Sequence, residues 1–135
     1  ALSLATPQQK KNREIVFAAV SNCGLALDHV DESWKHDFDL VSIAVANRGM
    51  ALRHAAPELQ DNEDIVRIAV QNDGYAIRSA SDRLRDNYDL ALLAMSSYQD
   101  AYNYLSPRLQ NDPELKHIYL SKKKEEDKWL RSRTR

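Results

Sequence analysis

The sequence predicts an all-α fold: a right-handed or superhelical α/α solenoid of 25-residue repeats, each made of a helix A, a short helix B and one 3-10-like turn. Three observations predict it. Apolar residues recur at a fixed step of 25, as Ile15, Leu40, Ile65, Leu90 and Leu115, with Val20, Val45, Val70 and Met95 and with Ala19, Ala44, Ala69 and Ala94 beside them. A constant period of this size marks tandem supersecondary units. The chain's three glycines, Gly24, Gly49 and Gly74, fall on the same comb. Three glycines and four prolines in 135 residues are also too few for strands and tight turns, whereas Ala, Leu, Asp, Arg and Lys abound, as helices prefer.

Taken in order, Ala1, Leu2, Ala5 and Pro7 precede Ala51, Leu52, Ala55 and Pro57 by 50 positions, so residues 1–10 read as a truncated first repeat cut from a longer array. Repeats follow at 11–35, 36–60 and 61–85, with a degenerate copy at 86–110 and a C-terminal capping helix and basic tail at 111–135, all in one structural domain. The third copy displays the physics of a unit. Asp61 is a good N-cap with Asp64 three residues on, and Ile65, Val66, Ala69 and Val70 form the apolar stripe of helix A. Gly74 stands where a left-handed residue ends the helix. Helix B carries Ala76, Ile77 and Ala80 inward, and Ser81 caps a single turn that plants Leu84 in the core. Pro57 and Pro107 take the first helical position after the matching caps. The core columns close with Leu27, Leu52, Ile77 and Tyr102 and with Trp34, Leu59, Leu84 and Leu109. At the C-terminal end Leu115, Ile118 and Leu120 begin a fifth helix A, but Lys116 replaces the valine of the stripe and Lys124 the glycine stop. That helix is expected to run on and to cap the array, since a last repeat has no neighbour.

The unit Asp61-Asn62-Glu63-Asp64-Ile65-Val66, then Ala69-Val70, Asn72-Asp73-Gly74-Tyr75-Ala76-Ile77, Ala80 and Leu84-Arg85-Asp86 resembles the bacterial repeat family called domain of unknown function 4116. The likeness covers nearly the whole chain. The fourth copy departs from it, with Ser97 for asparagine, Gln99 for glycine and Asp100 for tyrosine. The resemblance implies tandem copies within larger proteins, some of them secreted effectors of intracellular bacteria, and implies no chemistry.

Composition excludes several functions. Nineteen Lys and Arg against twenty Asp and Glu leave no global field to steer the chain to nucleic acid or acidic lipid. The single cysteine, Cys23, offers neither a disulfide nor a zinc ligand set and suits a reducing compartment. No apolar run or leader pattern suggests a membrane span or signal peptide, so the expected location is the cytoplasm, or a host cytosol for an effector. The segment Lys122 to Arg135 holds seven basic and three acidic residues; it reads as a solvated helix end, because no basic groove or row of stacking aromatics accompanies it.

No catalytic, cofactor-binding or metal site is expected. Glu14, Asp39, Asp64, Asp89 and Glu114 form a carboxylate ladder, but each is expected in the first turn of helix A, where the helix dipole favours a carboxylate. A whole repeat separates neighbours, too far for paired acid/base work. His29 and His54 share a column but lack a third ligand, and no nucleophile, base and orienter come together around Cys23. Columns stop agreeing where solvent permits: Phe17, Ser42, Arg67 and Leu92 share one, Asp28, Arg53, Arg78 and Asn103 another. Arg53, His54, Arg78, Tyr104 and Arg67 are therefore the candidate partner-binding surface, Arg and Tyr being enriched in interface hot spots. Tyr102, aligned with Leu52, reads as core. The function expected is a noncatalytic interaction module of a larger protein, binding a protein partner or a neighbouring domain of its own chain. Alternatives are a structural spacer and an accessory domain of an enzyme whose active site lies elsewhere.

Overall fold

The computed structural model describes the backbone of residues 7–133 and the side chains of residues 12–125 and 128–131; residues 1–6 of the expected truncated repeat lie outside the described residues, and 7–10 belong to the first long helix. All regular structure among the described residues is helical. Five long helices, α1 (Pro7–Asn22), α2 (Phe38–Asn47), α4 (Glu63–Asn72), α6 (Tyr88–Ser97) and α8 (Pro113–Arg133), alternate with short pieces. Helix B is a six-residue 3-10 helix in every copy: Gly24–His29, Gly49–His54, Gly74–Ser79 and Gln99–Tyr104. The closing turn is α-helical in three copies, as α3 (Pro57–Gln60), α5 (Asp82–Arg85) and α7 (Pro107–Gln110), and 3-10 only at Glu32–His36. The sequence reading had these two conformations reversed. The physical reason is a period of three: Gly74, Ile77 and Ala80, like Gly49, Leu52 and Ala55, are all buried, and only three residues per turn puts i, i+3 and i+6 on one edge.

Three further expectations are corrected. The N-cap of each later long helix sits one residue beyond Asp61 and its equivalents: the side chains of Asp37, Asn62, Asn87 and Asp112 accept the amides of Leu40, Ile65, Leu90 and Leu115 at 3.0–3.1 Å. No glycine has positive φ, so none acts as a left-handed stop. Ile15, expected in the core, is 57 % exposed, whereas Leu40, Ile65, Leu90 and Leu115 are fully buried. α1 runs from Pro7 through Asn12 without the break seen at Asn62, and among the described residues it packs chiefly on α2 and on the 3-10 helix that follows it.

The other elements form as their residues suggest. Ser81 Oγ accepts the Leu84 amide, Pro107 opens α7 behind the Ser106 cap, and Leu84 and Leu109 are buried. α8, 21 residues long, runs on past Lys116 and Lys124.

Successive long helices pack on one another, α1 on α2, α2 on α4 and α4 on α6, and successive 3-10 helices do the same in a second layer. The glycines explain the close fit. A Cβ added at Gly24, Gly49 or Gly74 stands 2.3, 2.4 or 2.2 Å from the carbonyl oxygen of Ala44, Ala69 or Ala94 in the next repeat, a separation only a bare Cα avoids. The glycine amides donate to the next repeat as well, Gly24 to Asn47 Oδ1 (2.7 Å), Gly49 to Asn72 Oδ1 (2.6 Å) and Gly74 to Ser97 Oγ (2.9 Å). Asn47 and Asn72 complete the joint by donating from Nδ2 to Ser21 O and Ala46 O, each at 3.2 Å.

A second seam runs through the closing turns. The amides of Ala56, Ser81 and Ser106 donate to Lys35, Gln60 and Arg85 carbonyls one repeat back, at 3.0–3.1 Å. Asp61, no cap for α4, accepts Ser81 Oγ (2.6 Å) and Arg83 Nε (2.9 Å), and Asp86 repeats this with Ser106 and Arg108. The serine hydroxyl first and the arginine second hold both carboxyls below their ordinary range. At the first joint His36 and Glu58 stand in these two places and pair with each other.

Candidate interaction surface

Because i and i+3 eclipse in a 3-10 helix, each short helix presents two residues together on its outer edge: Met50 with Arg53, and Tyr75 with Arg78. Each 3-10 helix packs on the next, so these edges neighbour one another as a strip. Arg78 donates from Nη1 to the Tyr75 hydroxyl at 2.5 Å. Its guanidinium lies 5.7 Å from the Tyr75 ring centre and 5.9 Å from that of Tyr104, within cation–π range. Tyr75 meets Tyr98 and Tyr104 edge-on, both at 5.5 Å. The hydrogen bond to Tyr75, then burial, push the Tyr104 phenol up from its ordinary value, with Arg78 opposing. Beside this cluster Met50, Arg53, Arg78 and Ser79 line a cleft of about 260 Å³.

Two arginines of the strip are unpaired, although Asp28 and Asp100 stand on its first and last helices. Arg13, Arg67, Arg83, Arg85 and Arg108 each pair with a carboxylate, whereas Arg48, Arg53 and Arg78 have no carboxylate partner among the described residues. His54 is the exception within the strip, with Nδ1 3.2 Å from Asp28 Oδ1. Burial lowers its pKa from 6.5, Asp28 works against that, and Arg53 reinforces it.

Four of the five residues expected on a partner surface, Arg53, His54, Arg78 and Tyr104, thus stand on neighbouring 3-10 helices. Arg67 belongs to α4 and is held by Glu63 at 3.0 Å. Tyr75, Tyr98 and Met50 were missed. Tyr75 shares its column with Leu25, Met50 and Asp100, and Tyr98 shares one with Cys23, Arg48 and Asp73, so neither column announces an aromatic. The signal was the three-residue step from Tyr75 to Arg78.

The other candidates do not assemble. Asp39, Asp64, Asp89 and Glu114 occupy first helical turns, two residues past the caps, while Glu14 lies inside α1. Glu114 accepts from Tyr88, whose phenol is pushed up to about 12 chiefly by that bond. Among the described residues no three of His, Cys, Asp or Glu converge as a metal site would need. Tyr102 is buried and stacks on Tyr119 with ring centres 4.4 Å apart. No helix among the described residues is long and apolar enough to cross a membrane.

Two tandem segments of the chain, residues 12–60 and 62–110, match the family model described as Domain of unknown function (DUF4116). Each segment spans two of the 25-residue repeats. Comparison with curated proteins returns no match, and comparison with solved structures returns none.

Proposed function

We propose that this chain, which belongs to the domain of unknown function 4116 family, is a noncatalytic helical-repeat solenoid that presents its 3-10 strip to an acidic segment of a protein partner. One observation carries the reading: Arg78 sits against Tyr75 and Tyr104 beside the cleft it shares with Arg53, and neither arginine has a carboxylate partner among the described residues. Rigid aromatics with arginine are the residue types that dominate interface energetics, and an unpaired guanidinium recognises a carboxylate bidentately. Repeat stacking supplies a continuous exposed face on which such groups keep fixed spacing. His54 and its partner Asp28 bound the strip on the side of the first repeat.

The test is a selection of displayed random peptides on the full chain, followed by affinity measurement for the winners. Enrichment in Asp and Glu is expected, with affinity falling at least about tenfold in Arg53→Ala/Arg78→Ala, as loss of 1.4 kcal/mol or more implies. Winners without acidic bias, or equal affinity for the double variant, exclude the strip. A spacer role is the second reading, favoured by the backbone bonds that join each closing turn to the one before it; peptides that never enrich above background support it.

A further inference from the structure

We infer that the outer face of α1 is a docking site for one further 25-residue repeat of this same kind, specifically one carrying glycine at the first position of its 3-10 helix. The molecule already uses an interface of this kind three times. In each joint a long helix offers three features to the repeat before it: an apolar side chain (Leu40, Ile65, Leu90), an alanine carbonyl against which a glycine Cα rests (Ala44, Ala69, Ala94), and an asparagine or serine that takes the glycine amide (Asn47, Asn72, Ser97). α1 carries all three in the same register, as Ile15, Ala19 and Asn22. There they stand exposed.

Single exposed apolar residues are ordinary on protein surfaces. The register is what singles these three out, because Asn22 brings both the acceptor for a glycine amide and the donor for a carbonyl that Asn47 and Asn72 use across their joints.

The chain cannot supply the occupant from a second copy of itself. Gly24, Gly49 and Gly74 are all engaged in internal joints, and Gln99 fills the fourth equivalent position with its side chain bonded to Tyr119 O at 2.9 Å. Two copies meeting α1 to α1 would likewise bring no glycine amide to Asn22. The face therefore selects a glycine-bearing repeat and leaves this chain's own ends without one.

The test inserts a second copy of residues 37–61 between Lys11 and Asn12 of the full chain, which sets the duplicate's Gly49 over Ala19 and Asn22. Chemical unfolding is expected to remain a single transition, with the m-value raised by roughly a fifth in proportion to the added residues. Ile15→Ser discriminates further. It should leave the melting temperature of the original chain nearly unchanged and lower that of the extended chain by several degrees, and Gly49→Ala confined to the duplicate should abolish that difference. An unchanged m-value, a separate transition for the duplicate, or an equal effect of Ile15→Ser in both chains would overturn the inference.

Discussion

The joint at Gly49 and the joint at Gln99 occupy the same place in the repeat and are built by opposite means. At Gly49 the absence of a side chain lets the backbone of one repeat lie against Ala69 O of the next, and Asn72 then bonds across in both directions. At Gln99 a long side chain bonds to Tyr119 O instead, and the stacked rings of Tyr102 and Tyr119 fill the space. The close pairing of long helices from α1 to α6 weakens at α8, which meets α6 through the Tyr88–Glu114 hydrogen bond and packs chiefly on the Gln99–Tyr104 helix and on α7. A glycine joint holds two identical units at a repeatable distance. A side-chain joint accepts an element of different shape, here a helix of 21 residues.

The largest expected effect separates the cores of the two regions. Leu52→Ala, at a fully buried position, should cost about 2–5 kcal/mol by lost transfer energy plus a cavity, whereas Leu120→Ala on half-exposed α8 should stay within about 0.5 kcal/mol; urea denaturation of both variants measures the contrast. Next comes the joint itself. Gly49→Ala forces a methyl onto Ala69 O and should destabilise by about 1–3 kcal/mol, while Gln99→Gly removes one hydrogen bond and should cost about 0.5–1.5 kcal/mol. Equal losses at the two sites would show that close backbone approach is not what distinguishes them.

A third pair sharpens the comparison through the polar partner. Asn72→Ala leaves the buried Gly49 amide without an acceptor and should cost about 1–3 kcal/mol; Asn72→Ser, which mimics Ser97 at the next joint, should recover most of it. Thermal melts of the two variants decide. The smallest effect expected is on pH. The His54 pKa is lowered from 6.5, chiefly by burial, so the unfolded chain binds more protons than the folded one as pH falls through that value, and stability must fall with it. His54→Gln should flatten the melting temperature between about pH 7.5 and 5.5. The carboxyls of Glu58, Asp61 and Asp86 are lowered too, and their contribution is lost only at lower pH, near and below their unfolded values.

Much of the candidate site was legible one residue at a time. Arg53, Arg78 and Tyr104 stand out as positions where columns differ, and solvent is what lets them differ. Their combination with Tyr75 and Tyr98 was not, because it depends on the eclipsing of i with i+3 and on one repeat's ring meeting the next. Ile15 marks the converse error: its column says core, but the column reports what a repeat needs from its neighbour, and α1 has none among the described residues.

From the sequence alone came the 25-residue period, the helical character of every unit, the buried columns through Leu52, Ile77 and Leu84, the serine and proline chemistry of the closing turns and the run-on of α8 past Lys124. These follow from local spacing, propensity and side-chain polarity, which a chain carries whatever it packs against. The tertiary structure alone decided that helix B is a 3-10 helix, that Asn62 and not Asp61 caps α4, and that glycine serves approach and not turning. The last two depend on an atom 20 positions away in sequence, Ser81 Oγ drawing Asp61 aside and Ala69 O beneath Gly49, and the first on which residues of the three-residue step the core buries.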